Sequence, residues 1–287
     1  MTTVWEQVTA SAKLISLPGV YLRLKTLLAE PDYSMADVAL VIGQDPALTA
    51  RLLRLVNSPY FGLTAKIETV FRAVSMLGTQ QVHDLALATS VAYSFAGMSI
   101  ETMDMSRFWR RSVFCGLVSR RLAKECHVLD SERLFVAGLL RDIGHLIMYQ
   151  TVPEPCQQAI LVAEQRDQPL FLIERELIGI DYARVGGVLI RQWQLPGSLR
   201  EATEFHVEPL RALEFPLETC LVHISGLLVA AAESGQEFGS GALQPHAESW
   251  NITRLSLPQC LSVQAEAEAE VGRVLDFFLP RPRAANG

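Results

Sequence analysis

The 287-residue sequence has no CxxC pair, and its cysteines are odd in number and far apart: Cys115, Cys126, Cys156, Cys220 and Cys260. That spacing excludes a cysteine-built zinc site or a disulfide framework and leaves small buried hydrophobes. No run approaches the ~20 consecutive apolar residues of a membrane span. The opening MTTVWEQVTASAK lacks the short apolar core of a secretion signal. A cytoplasmic protein without a membrane partner is therefore expected. Positive charge is in deficit, with 25 Lys and Arg against 31 Asp and Glu, so nucleic acid is not expected as a partner. GxGxxG, Walker-type and GxSxG patterns are missing too, which removes the usual dinucleotide, P-loop and acyl-transfer readings. No alternating runs joined by hairpin turns occur, so strands are not expected.

What is present is helical periodicity, with 49% hydrophobic residues to build a core. Residues 1–13 read as a helical lead-in, and Leu17-Pro18-Gly19-Val20 opens the next helix. Ser34 and Asp37 form a capping box, and Asp45-Pro46 starts a helix whose Leu48, Leu52, Leu55 and Val56 share a face. Thr69 caps a short helix ending at Gly78, and a long helix runs from about 80 to 95. Asn57 and Ser58 fix the intervening turn. After a linker at 97–104, Ser106 starts a helix to about 126, and Ser131 caps the next. Further helices are expected at about 154–166, 169–178, 182–194, 198–205, 217–233 and 262–278. Residues 234–249 read as a flexible connection and 280–287 as a disordered tail.

Near the middle lies LFVAGLLRDIGHL, residues 134–146, read as one buried amphipathic helix. Arg141, Asp142 and His145 do not belong in apolar surroundings. An unpaired buried charge costs several kcal/mol, on the order of 3–5, so these groups need partners, a ligand or a metal. Elsewhere the plain expectations are solvated faces for Arg110-Arg111 and Arg120-Arg121, and an exposed helix pair for His83-Asp84. His223 reads as a satisfied core histidine, and Trp109 and Trp193 as core anchors.

Four segments, DPALTARLLRLVNSPYFGL, ETVFRAVSMLGTQQVHDLAL, AGLLRDIGHL and ERELIGIDYARVGGVLIRQWQLP, resemble the HDOD domain over roughly residues 14–230. This is the HD-related output domain of bacterial signalling proteins, related to the HD metal-dependent phosphohydrolases. The resemblance implies an all-α, two-lobed protein: an N-terminal helical bundle at 1–97, an HD-like helical lobe at 105–233, and a linker, C-terminal helix and flexible tail at 234–287. It also implies where metal ligands would stand. The first His of the family pattern falls at Arg111, the His of the His-Asp pair at Arg141, and a later His at Tyr182. The late Asp falls at Gly226. Asp142 and His206 are retained. A guanidinium stays protonated and offers a metal no lone pair. The resemblance thus points to a signalling module that is not an enzyme, holds no metal or other cofactor, and acts through association with unidentified signalling proteins. Without a receiver or second output domain in this sequence, that association is in trans.

Two alternatives stay open. One is a divergent metal-dependent phosphohydrolase built on Asp142, His145, His206 and His223. The other is a sensor of a small phosphorylated ligand, such as a cyclic dinucleotide, bound by Arg111 and Arg141 with His145 or His206. The candidate site residues are Arg111, Arg141, Asp142, His145, Tyr182 and His206.

Overall fold

A computed structural model describes residues 4–58, 60–95, 98, 100 and 103–278. These residues are all-α: helices joined by turns, with no strand among the described residues. The chain divides into two compact units, residues 16–98 with 270–287 and residues 1–15 with 99–269. The linker expected at 97–104 lies partly outside the described residues, and the tail at 280–287 wholly outside them.

The lead-in is helix α1 (Val4–Leu14). It groups with the larger unit, against the helices at 144–151 and 182–192, and not with the rest of the first hundred residues.

The smaller unit contains α2 (Gly19–Leu28), α3 (Met35–Gly43), α4 (Pro46–Val56), α5 (Val70–Leu77) and α6 (Thr79–Phe95). Its helix starts follow from local chemistry. The Ser34 hydroxyl accepts from Asp37 N, and the Asp37 carboxylate accepts from Ser34 N at 2.9 Å. Asp45 Oδ1 accepts from Leu48 N at 2.9 Å, with Pro46 in the first turn. The Thr69 hydroxyl accepts from Arg72 N at 3.2 Å. Each such cap is worth about 1 kcal/mol. Leu48, Leu52, Leu55 and Val56 are buried together, as their spacing requires. Asn57 staples the following loop: its amide donates to the Leu53 and Ile67 carbonyls, and its Oδ1 accepts from Ile67 N, each at 2.7 Å.

Helix α6 departs from expectation. His83 and Asp84 are buried, not exposed. His83 Nδ1 donates to Asp84 at 2.9 Å, the Tyr21 hydroxyl bonds His83 Nε2 at 2.9 Å, and Gln80 donates to Asp84 at 3.0 Å. A surface helix shows one apolar stripe, but α6 is buried on nearly every side, so its polar groups pair internally.

The larger unit continues with α7 (Met105–Glu125), α8 (Ser131–Leu140), α9 (Gly144–Thr151), α10 (Pro153–Arg166), α11 (Leu170–Ile178), α12 (Tyr182–Gln192), α13 (Gly197–Phe205), α14 (Pro216–Ser234) and α15 (Ala247–Thr253), and α16 (Leu257–Phe278) begins in it, its residues from 270 on grouping with the smaller unit. Asp104, not Ser106, caps α7, accepting from Ser106 N and Arg107 N. Ser131 is the first residue of α8 and not its cap. Residues 234–249 are built into the fold: Phe238 and Leu243 are buried, and Phe238 meets Trp250 of α15 edge-on. Helix α14 is long and apolar enough to cross a membrane by length and composition, which a search for unbroken apolar runs overlooks. Within this unit, 56% of its most apolar window is buried, and it packs on α7, α8, α13 and α15.

The difference that matters most lies at 134–146. The expected single helix is two, α8 and α9, separated by a turn at 141–143. Gly144 explains the break: a Cβ there would lie 2.0 Å from the Tyr182 carbonyl, so α9 starts in direct backbone contact with α12. Helical periodicity continues through the turn and conceals it.

Candidate functional site

The α8–α9 turn places Arg141 and Asp142 at the floor of a cavity of about 440 Å3 within the larger unit. All six sequence candidates line it: Arg111 from α7, Arg141 and Asp142 from the turn, His145 from α9, Tyr182 from α12, and His206 just after α13. The segments are brought together by packing of α7 on α8, α9 on α12, and α12 on α13.

Arg141 and Asp142 are both nearly fully buried, and Arg141 Nε lies 3.0 Å from Asp142 Oδ1. The approach is too oblique for a hydrogen bond, so the contact is electrostatic. Arg111 Nε stands 3.9 Å from the other carboxylate oxygen and 4.0 Å from Glu233. Its side chain is 39% exposed, at the mouth of the cavity. Burial alone would raise the Asp142 pKa, but Arg141, then Arg111, outweigh it and hold the carboxyl below its usual range. Burial likewise opposes the Arg141 charge, and Asp142 more than restores it. One carboxylate thus faces two guanidinium groups.

The imidazoles are neutral at physiological pH. Burial pushes His145 and His223 down to about 4, and burial followed by Arg141 pushes His206 to about 3. The 3.7 Å approach of His206 Nε2 to Asp142 is therefore not an ion pair. His206 Nδ1 donates to the Thr203 carbonyl at 2.8 Å, which leaves Nε2 as an acceptor for the Tyr182 hydroxyl at 3.3 Å. His223 Nδ1 donates to the His206 carbonyl at 2.7 Å, and its Nε2 accepts from His246 N. It is a satisfied histidine that also lines the cavity. His145 is stacked on Tyr182, with centroids 3.8 Å apart, and on Tyr149 at 5.2 Å.

Two residues of this neighbourhood carried no flag in the sequence. Glu174 of α11 is fully buried, accepts from Tyr182 N at 2.9 Å, and lies 3.8 Å from His145 Nδ1. Burial pushes its carboxyl up to about 8. Glu233 at the end of α14 balances Arg111 and Arg107. A carboxylate set between apolar helix positions, as Glu174 is beside Ile173 and Ile178, was the signal available for the first.

Gly226 completes the floor. A Cβ built there would lie 1.3 Å from Arg141 Nη1. The guanidinium occupies the space in which any side chain at 226 would begin.

The donor set does not suit a divalent metal. His206 Nε2 and Asp142 Oδ1 are ligand-like, but Arg141 abuts that same oxygen at 3.0 Å. The His223 nitrogens are committed to backbone groups, and His145 is stacked on Tyr182 with Nδ1 3.8 Å from Glu174. Among the described residues no group of three or more His, Cys, Asp or Glu side chains is arranged to hold a metal ion.

Comparison with known proteins places this geometry in a family. The sequence profile described as the HDOD domain matches residues 14–209. An uncharacterised protein of Treponema pallidum (strain Nichols) is 26% identical over 196 residues, covering 66% of this chain. The chain spans only 37% of that relative's length. Among solved structures, a Shewanella amazonensis SB2B protein provisionally named a phosphohydrolase superposes with a TM-score of 0.74 at 22% identity, covering 96% of both chains. A Marinobacter aquaeolei VT8 protein provisionally named for signal transduction gives 0.72 at 18% identity, covering 96% of this chain and 65% of its own. At such identities these likenesses establish the fold alone. With the profile spanning most of its length and the expected all-helical fold, this chain belongs to the HDOD domain family.

Proposed function

We propose that this chain is a non-catalytic signal-transduction module of the cytoplasm that acts by associating with other proteins, its HD-type metal centre replaced by an ion pair. The observation that carries the reading is the Arg141 guanidinium seated on Asp142 Oδ1 and over Gly226. It supplies the countercharge that a divalent ion would supply and fills the space beside it. A cation entering there would meet two fixed positive charges, and loss of Arg141 would leave Asp142 buried and uncompensated. The signalling name of the Marinobacter protein agrees with this reading.

The phosphohydrolase name of the Shewanella protein favours the competing reading of Asp142, His145, His206 and His223 as an unusual metal shell. The commitment of both His223 nitrogens to backbone groups counts against it. Elemental analysis of protein purified with iron, manganese and zinc supplied, together with a phosphodiester hydrolysis assay, tests the choice. The expected result is substoichiometric metal and no turnover. Stoichiometric metal with turnover that disappears in Asp142→Ala would overturn the proposal. For the association half, crosslinking in the native cell followed by mass spectrometry is expected to recover defined partners. Their absence from every condition tested would count against it.

A further inference from the structure

We infer that the cavity is a binding site for a singly charged organic oxyanion, a carboxylate or a phosphodiester carrying a flat apolar body. The inference deepens the non-catalytic reading and rests on it, since it requires the two arginines to be fixed charges of the centre.

Charge comes first. Arg111 and Arg141 face the single ionised carboxylate of Asp142, while Glu233, at the outer side of Arg111, is matched by Arg107. One positive charge is left over, in a site nearly closed to solvent at its floor. His145, His206 and His223 add none, because burial keeps them neutral. Glu174 lies behind Tyr182 and does not line the cavity. A monoanion brings the cavity to neutrality, whereas a divalent metal cation would raise its excess from one charge to three.

Donors come second. Arg141 is buried, lines the cavity, and its Nε, 3.0 Å from Asp142 Oδ1, lacks a well-aligned hydrogen bond. Arg111 at the mouth likewise makes ion-pair contacts only at 3.9 and 4.0 Å. Buried guanidinium N–H groups are rarely left unpaired, and two planar forks with free donors suit an oxyanion. The Tyr182 hydroxyl, at the same floor, adds one more polar group.

Shape comes third. The same cavity is also lined by apolar side chains, among them Leu170, Phe171, Leu227 and Ala230. A volume of about 440 Å3 exceeds what a bare inorganic ion needs and falls in the range of small-ligand pockets. A cavity lined by both guanidinium groups and apolar side chains suits an amphiphilic anion.

Calorimetric titration of the full chain with benzoate, methyl phenyl phosphate and the neutral isostere benzamide tests this. At least one anion is expected to saturate a single site while benzamide does not, and the arm that binds identifies the oxyanion. Arg111→Gln, at a partly exposed position where folding is retained, is expected to weaken binding roughly tenfold or more, the worth of one charge-assisted hydrogen bond. Arg141→Met alone would strand Asp142, so it is paired with Asp142→Asn, and that double variant is expected to abolish binding. Failure of both anions to saturate a site at millimolar concentration would overturn the inference. So would benzamide binding as well as the anions, or both variants binding like wild type. Release of phenol from methyl phenyl phosphate with added manganese would instead overturn the non-catalytic reading, so the two failures are distinguishable.

Discussion

At the scale of single residues, the centre is a set of compensating substitutions. An arginine at 141 requires a glycine at 226, because the guanidinium sits where a Cβ would project. Gly226→Ala sets two effects against each other. Alanine in a helix interior gains up to about 1 kcal/mol over glycine. Displacing a buried guanidinium from its carboxylate costs about 3–5 kcal/mol if the pair is broken and about 1–3 if it is only crowded. The net expectation is a loss of a few kcal/mol, read as a lower urea midpoint. In an Arg141→Met, Asp142→Asn background the same glycine substitution is expected to be neutral or stabilising, a strong coupling in a double-mutant cycle. Stabilisation by Gly226→Ala in the wild-type chain would show that Arg141 does not lie over it. Five of the six candidates stood where the resemblance places a ligand, and His145 stood out as a polar group among apolar ones; the structure brings all six to one cavity. That position 226 cannot carry a side chain was not legible, because a close approach 85 residues away in sequence leaves no periodic trace.

At the scale of elements, caps and apolar stripes were legible wherever the deciding contacts are local. Asp45, Thr69 and Ser34 act within three residues. The break between α8 and α9 and the burial of α6 were not legible, because another helix decides each one. Tyr21, on α2, anchors His83 on α6, and the chain to Asp84 and Gln80 lies in the interior. Tyr21→Phe keeps the ring but leaves a buried imidazole nitrogen unpaired. A loss of about 1–3 kcal/mol is expected in denaturant unfolding. A loss below a few tenths would mean that water reaches His83 and that the pair is in effect at the surface.

At the scale of the whole molecule, the buried ionisable groups set a pH optimum for stability. The folded pKa values of His145, His206 and His223 lie below their ordinary value of 6.5, at about 4, 3 and 4. Their contribution is therefore present above pH 6.5 and lost as pH falls through those folded values. Glu174 has the opposite sign: raised from 4.5 to about 8, it contributes stability that is complete below 4.5 and lost as pH rises through about 8. Between 6.5 and 4.5 the unfolded chain gains protons on three imidazoles, against one that the fold already holds on Glu174. Stability is thus expected to peak near pH 6.5 and fall on both sides. Urea midpoints at pH 5, 6.5 and 8.5 check this, and Glu174→Gln is expected to flatten the alkaline side and to steepen the acid side, where its opposing proton is gone. An unchanged wild-type midpoint between 6.5 and 8.5 would remove the assigned role of Glu174.

The sequence by itself determined the helical class, most helix starts, the apolar faces and the presence of arginine at positions where the resemblance would place metal ligands. Each depends on periodicity, on capping chemistry within a turn, or on the side chain's own protonation. Only the tertiary structure decided that Arg141 and Asp142 sit in a turn and not in a helix, that the arginines face one carboxylate across a cavity, and that His223 is committed to backbone groups. Those outcomes depend on which helices lie against one another, and distances between chain-remote atoms are fixed by packing, to which hydrophobic spacing along one helix is blind.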